Sequence, residues 1–437
     1  MLARNYVGGW TKPAPRLYPH QWSWDAAFIA IGLARHDPDR AIRELEHLFG
    51  AQWADGRVPH IVFDPRVPDY RPGPELWASA ATSELAPRAP ATSGLIQPPM
   101  HAIAVSRIVE TADAPERFRE RIARLYPKLL AWHRYLAEKR DPERSGLLTV
   151  YHPWEGTDNT PRWDAALARL DVSSLKPYTR TDTTLVAADE RPTTIEYDRY
   201  LWLVHLLRDA RYDDVAIQRA HPFRIKDVQC SAIFAAACAS LERIAVFVSA
   251  PPEDRSEIAA WRERASAAVA RAWDDELDLA LDFDLVVQKP IRVLTSAGLS
   301  ILLVPGLDRQ LAEGARRTAF GPNFAGGEGL AFPVLLSTGL RAPEFRPRAY
   351  WRGPTWPVIN WLVSWGMSRQ GMSDAAAALR DANLALLARR EAHFAEYFDP
   401  LTAEPLGSVD QSWTAAVALD WLASQSVETR TAPPITR

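Results

Sequence analysis

Apolar residues return every three or four positions over 24–36, 38–51, 98–112, 115–137, 196–210, 227–249, 254–273, 308–319, 354–369, 373–389 and 410–424. That is the period of one face of an α-helix, so the spacing predicts a helical chain. Some starts have a visible mechanism. Asp37 before Pro38 reads as an N-cap followed by proline at the first helical position, and Ser373 with Asp374 is placed to cap the alanine-rich run behind it. Alternating patterns are scarce. LLTVYH at 147–152 and LDFDLVV at 281–287 are the strand candidates, both read as short hairpin elements.

Between the helices lie stretches rich in Trp, Tyr, Pro, Gly and single charges: 13–25, 52–77, 151–164, 176–197, 320–357 and 390–411. Helices of this kind carry a fold, and loops of this kind carry chemistry. Length alone leaves one or two domains open, but no linker or step in composition divides the 437 residues. The expectation is one all-α domain over 1–437, with helices paired around a ring and the aromatic loops at one end. A Pro-rich excursion near 65–99 is expected to pass over a site. No repeat is crisp enough to prove a solenoid.

Composition narrows the function. The 51 basic and 54 acidic residues are spread along the chain, so no basic stripe offers counter-charge to a phosphate backbone, and nucleic acid is not an expected partner. Cys230 and Cys238 are the only cysteines, in an apolar run that reads as a buried helix, which excludes a disulfide framework. The first residues lack the apolar core of a signal peptide, and no window reaches about 18 uninterrupted apolar residues. The expectation is a cytoplasmic protein without a membrane span; a homo-oligomer is left open.

Tryptophan is the loudest signal, at 17 residues. On helix faces, as at Trp202 and Trp261, it reads as packing. The clusters YPHQWSWD (18–25), HPWEGTDNTPRWD (152–164) and YWRGPTWP (350–357) differ, because they mix indoles with Pro, Gly and charges at non-helical spacing. An indole there offers a flat apolar face with a donor at its edge, which suits a sugar ring and suits a loop anchor equally well. Glycoside cleavage also needs an acid for the leaving oxygen and a base or nucleophile at the anomeric carbon. Asp158 lies between Trp154 and Trp163, an enclosure that would raise its pKa, and Glu396 lies among the aromatics of HFAEYFDP. The bland reading of either is a helix cap or an exposed charge.

Other templates fit less well. DDELD at 274–278 matches the metal motif of helical prenyl-diphosphate cyclases, but no second metal motif or diphosphate-binding basic set accompanies it, and a solvated turn is the better reading. GGEG at 326–329 is only a turn. Histidines 20, 60, 101 and 152 have no zinc spacing, so no metal is expected, and GLS at 298–300 is not a nucleophile elbow.

Seven blocks in order, YPHQWSWDAAFIAIGL, FGAQWADGRVPHIVF, SGLIQPP, HPWEGTDNTPRWD, RPTTIEYDRYLWLV, YWRGPTWPVINWL and AEYFDP…SWTAAVALDWL, resemble glycoside hydrolase family sixty-three. Within that family the blocks look like the branch of bacterial mannosylglycerate and glucosylglycerate hydrolases. The likeness runs from about residue 3 to 424. It implies an (α/α)6 toroid, hydrolysis of α-glycosides with inversion, and no organic cofactor. By the same resemblance Asp158 is the general acid and Glu396 the general base, with their carboxyls about 6.5–9.5 Å apart. WEGTDN is one residue shorter than the familiar WESGxDN, which puts the placement of Glu155 in question.

The resemblance also implies that Tyr18, Trp22, Trp24 and Asp25 line the sugar subsite, with His60, Gln97, Tyr350, Trp351 and Trp356 beside them. Arg191, with Tyr197 and Tyr70, is the expected holder of a carboxylate-bearing aglycone, since a guanidinium pairs bidentately with a carboxylate. Its alternative is a pair with a structural acid such as Glu196 or Asp198. The expected substrate is glucosylglycerate, with mannosylglycerate next. Another small α-glucoside, and a sugar-binding scaffold without catalysis, are the alternatives.

Overall fold

A computed structural model describes residues 1–431. Each segment with helical spacing forms a helix: α1 (Ser23–Leu33), α2 (Pro38–Gly50), α3 (His101–Thr111), α4 (Arg119–Lys139), α5 (Thr194–Asp209), α6 (Val228–Phe247), α7 (Pro252–Arg271), α8 (Arg309–Ala319), α9 (Pro357–Arg369), α10 (Ser373–Leu387) and α11 (Ser412–Thr431). Asp37 caps α2 by accepting the Arg40 N–H at 3.1 Å. Ser373 does not cap α10. It is already the first helical residue, and Met372 at the cap position makes no side-chain hydrogen bond.

The packing order makes these helices a ring. Helix α11 packs on α1, α1 on α3, α3 on α6, α6 on a 3₁₀ segment (Ser296–Leu303), that segment on α9, and α9 back on α11. The inner elements alternate along the chain with outer ones: α2, α4, α7, α8 and α10 each follow an inner partner. This is an (α/α)6 toroid whose fourth inner element along the chain is 3₁₀ rather than α. Burial explains the division. Every residue of α1 is buried, whereas α2 buries one stripe containing Ala41, Ile42, Leu45, Leu48 and Phe49. Inner helix α6 is apolar and long enough to cross a membrane, yet most of it is buried inside the ring.

Two glycines permit close approach between inner elements. A Cβ on Gly32 of α1 would stand 2.4 Å from the Ala416 carbonyl oxygen of α11. One on Gly366 of α9 would stand 2.9 Å from the Leu302 carbonyl oxygen. Strands are short, two or three residues each. Thr149–Val150 pairs with Ile225–Lys226, which pairs with Asp282–Asp284, and that last strand makes a hairpin with Lys289–Ile291. The 281–287 candidate is thus a hairpin arm, but 147–152 is not, because its partner lies far along the chain in a piece too short to show a period. DDELD forms the turn of a hairpin between Trp273–Asp274 and Leu279–Ala280, where Asp274 pairs with Arg292.

Helix α5 is outside the ring. A capping box fixes its start, with Thr193 and Glu196 each bonding the other's backbone N–H. It packs on a short helix, Pro74–Trp77, within the Pro-rich excursion.

Candidate active site

The segments ahead of the inner helices converge at one mouth of the ring. Trp24 and Asp25 open α1, Gln97 precedes α3, Tyr350 and Trp351 precede α9, and Gln411 and Trp413 flank the start of α11. Helix N-termini carry partial positive charge, so this end of the toroid suits a group of carboxylates. The cavity there, mouth included, holds about 840 Å³ of free space. Tyr70, Arg71, Pro72 and Trp77 of the Pro-rich excursion form part of its wall, and Thr181, Asp182, Arg191 and Tyr197 come from the segment leading into α5.

All the residues expected at the site line this cavity except Trp356. That indole lies behind the wall, stacked on Trp351 with centroids 3.7 Å apart and planes 2° apart, and it also stacks on Tyr397 at 4.6 Å. Its Nε1 donates to the Tyr350 carbonyl at 3.1 Å, so it supports the wall without being part of it. Trp163 likewise turns inward. It packs edge-on against Phe223 and donates to the Thr157 carbonyl, leaving Trp154 alone of the expected pair beside Asp158 in the cavity.

Glu396 is 1% exposed and well supplied with donors. Its Oε1 accepts the Tyr18 hydroxyl at 2.8 Å and the Tyr350 hydroxyl at 3.4 Å, and its Oε2 accepts the Ser408 N–H at 3.1 Å and the Ser408 hydroxyl at 3.2 Å. Burial raises its pKa, against the pull of Arg191, Ser408 and Tyr18. Asp158 differs. Among the described residues its carboxylate is helped only by its own backbone N–H and by the nearby Arg191, and burial raises its pKa to about 7. Asp25 is also lifted well above the usual carboxylate range, by burial first and by Glu396 next.

Arg191 stands between these carboxylates. Its Nε donates to Asp182 at 3.3 Å, its Nη1 donates to the Tyr18 hydroxyl at 2.9 Å, and its guanidinium lies 4.3 Å over the Tyr350 ring. The expected pairing with an acid is therefore present, but its partner is Asp182; Glu196 serves the capping box and Asp198 accepts the Tyr178 hydroxyl. Asp182, which sequence reading missed, is also held by Arg180 through two hydrogen bonds of 3.0 and 2.8 Å. Only its spacing from Arg180 and Arg191 in RTDTTLVAADER hinted at this.

Other walls are fixed in turn. The Gln97 amide oxygen accepts the Trp24 N–H at 3.2 Å. His60 bonds the Ser93 hydroxyl and meets the Trp77 ring edge-on, and burial holds its pKa well below the usual histidine value. Tyr70 packs edge-on to His20 and Trp22, and Tyr197 lies beneath Arg180 at 4.2 Å. Gln411 and Trp413 were missed as site residues, although Trp413 belongs to the SWTAAVALDWL block and packs edge-on to Trp24 at 5.4 Å.

Glu155 does not reach the cavity. It is 2% exposed and takes two hydrogen bonds from Arg140, at 2.9 and 2.8 Å, with the Tyr151 and Ile96 N–H groups completing its shell. The shortened motif therefore keeps this glutamate as a strut between the loop carrying Asp158 and the loop carrying Gln97.

Enclosed carboxylates in unlike surroundings, set among aromatic rings at the mouth of a helical toroid, define a glycoside hydrolase. The chain belongs to the family described as the mannosylglycerate hydrolase MGH1-like glycoside hydrolase domain, whose model matches residues 18–414. It is 44% identical to the glucosylglycerate hydrolase of Mycolicibacterium hassiacum over 97% of this chain and 96% of that protein. It is 42% identical to the mannosylglycerate hydrolase of Thermus thermophilus over 96% and 98%. A solved GH63 mannosylglycerate hydrolase from Thermus thermophilus, in complex with Tris and D-glycerate, superposes with a TM-score of 0.88 at 41% identity, covering 96% of this chain and 98% of that one. A more distant likeness in fold alone is to neutral trehalase Nth1 from Saccharomyces cerevisiae, with a TM-score of 0.58 at 13% identity over 98% of this chain and 76% of that one.

Proposed function

We propose that this enzyme hydrolyses glucosylglycerate to glucose and glycerate with inversion, and takes mannosylglycerate as a second substrate. Asp158 is the general acid and Glu396 the general base. The observation that carries this reading is the contrast between the two carboxyls. Asp158, with few donors and a pKa raised to about 7, keeps a proton for the glycosidic oxygen. Glu396 is surrounded by donors that favour its ionised form, so it can take a proton from water.

Asp25 and the indoles of Trp22, Trp24 and Trp351 hold the hexose, the carboxylate accepting from sugar hydroxyls. Arg191 receives the glycerate carboxylate, with Tyr70 and Tyr197 closing the same end. Support comes from its place in the cavity beside Asp158, where the leaving group departs; Asp182 holds its Nε and the Tyr18 hydroxyl accepts from its Nη1. Mannosylglycerate stands as the second substrate because named hydrolases of both compounds match nearly the whole chain.

The test is proton NMR of the anomeric signals during turnover of glucosylglycerate, then of mannosylglycerate. Release of the β-hexose first is expected. First release of the α-anomer would overturn the inverting reading, and no release from either compound would overturn the glycerate reading and turn attention to other small α-glucosides. Arg191→Ala is expected to raise KM for the glycerate-bearing substrate far more than for a neutral aryl α-glucoside.

A further inference from the structure

Tyr350 adopts a backbone conformation that tyrosine rarely takes. Its φ is +51°, in the left-handed region, where a bulky side chain is strained unless its surroundings hold it there. The turn is bolted to the loop of the general acid by Asn159, which is 2% exposed. The Asn159 Oδ1 accepts the Trp351 N–H at 2.8 Å, and its Nδ2 donates to the Ala349 carbonyl at 3.4 Å. One side chain thus grips the peptide groups on both sides of Tyr350. Arg352 makes a second attachment, donating to the Asn159 carbonyl at 3.2 Å and pairing with Asp164 at 2.8 and 2.7 Å.

The conformation has a consequence at the cavity. It delivers the Tyr350 hydroxyl to 3.1 Å from the Tyr18 hydroxyl and 3.4 Å from Glu396 Oε1, and the ring to the underside of Arg191. We propose that Asn159 is a positioning residue, holding Tyr350 in its left-handed turn so that its hydroxyl joins Tyr18 on the base carboxylate. Asn159 adjoins Asp158 in sequence, so the segment that presents the acid also sets a donor on the base. The proposal rests on the reading of Glu396 as base. The groups facing that carboxylate are Tyr18, Arg191, Tyr350, Tyr397, Asp25 and Asp158, together with Ser408.

The test compares Asn159→Ala, Tyr350→Phe and the double variant with glucosylglycerate as substrate. Asn159→Ala is expected to lower kcat about tenfold with a smaller change in KM, and to move the acid limb of the pH profile upward by about half a unit, as a lost donor leaves the carboxylate easier to protonate. Tyr350→Phe is expected to move the limb similarly, and the double variant no further, because both changes remove one interaction. A loss with an unmoved limb, or losses that add, would overturn the proposal.

A crystal structure of Asn159→Ala asks the same question without turnover. Withdrawal of the Tyr350 hydroxyl from Tyr18 is expected, and an unmoved Tyr350 at positive φ counts against the clamp. Asn159→Ser is read in the same way if the alanine variant does not accumulate as folded protein. Failure of the catalytic reading looks different: Glu396→Ala would then turn over at the wild-type rate.

Discussion

Asp158 and Glu396 line one cavity, but Glu396 accepts from Tyr18, Tyr350 and Ser408 while Asp158 has no side-chain donor among the described residues. The roles proposed for them follow from that difference, and so does a dependence on pH. In the proposed role Asp158 must be protonated, so kcat/KM should fall as pH rises through about 7. A profile flat through that range would remove Asp158 from the acid's role.

The same shift predicts a stability effect. The Asp158 carboxyl holds its proton more tightly in the folded chain than in the unfolded one, where its pKa is near 3.8. Its contribution is therefore fully present below about pH 4 and is lost as pH rises through about 7. An asparagine side chain at this position would carry no such charge. The Asp158→Asn enzyme should thus be more stable than wild type at pH 8, by at most on the order of 4–5 kcal/mol, and the gap should close on going to pH 4. Thermal melts across that range check the sign.

Tyr18 donates to Glu396 at 2.8 Å and receives Arg191 at 2.9 Å, so Tyr18→Phe takes one donor from the proposed base and one acceptor from the guanidinium. The expected result is a kcat lower by about tenfold and an acid limb moved to higher pH, with the fold retained. Steady-state kinetics between pH 4 and 8 would show it. An unchanged limb would mean the hydroxyl does not tune the base.

Gly407 has φ +70°, and a Cβ there would lie 2.7 Å from Glu396 Oε2 and 2.4 Å from the Tyr397 ring. Gly407→Ala must strain the turn, at about 1–2 kcal/mol for the backbone alone, and push the carboxylate off Ser408. Expected are a lower melting temperature and a kcat loss beyond tenfold. Wild-type turnover in this variant would show that the base tolerates displacement.

Glu155 and Arg140 form a pair with side-chain exposures of 0% and 2%. Glu155→Ala leaves a buried guanidinium short of its counter-charge, which costs about 3–5 kcal/mol. Urea unfolding should show a loss of that size. Protein that remains folded should retain more turnover than Asp158→Ala or Glu396→Ala, because Glu155 stays outside the cavity.

What the sequence determined by itself is local. Helical spacing located α1 to α11, because burying one stripe or a whole helix imprints a period on neighbouring residues. The same holds for the aromatic, Pro-rich segments, whose composition excludes them from helix interiors and marks them as the lining of a site. The segment 296–303 escaped because eight residues are too few to display a period, although it closes the ring. Strand 149–150 was legible while its partner at 225–226 was not, for the same reason.

Tertiary structure decided everything that depends on which loop faces which. Trp351 and Trp356 look alike in YWRGPTWP, yet one faces the cavity and the other supports it from behind, because only one face of a stacked pair can meet a ligand. Glu155 and Asp158 are three residues apart, but Arg140 reaches one and not the other. Asp182 gained its place from two arginines, and Asn159 from a turn 192 residues away at Trp351. Hydrogen bonds and ion pairs act over about 3–4 Å, so a carboxylate's role is set by the groups that folding brings within that distance.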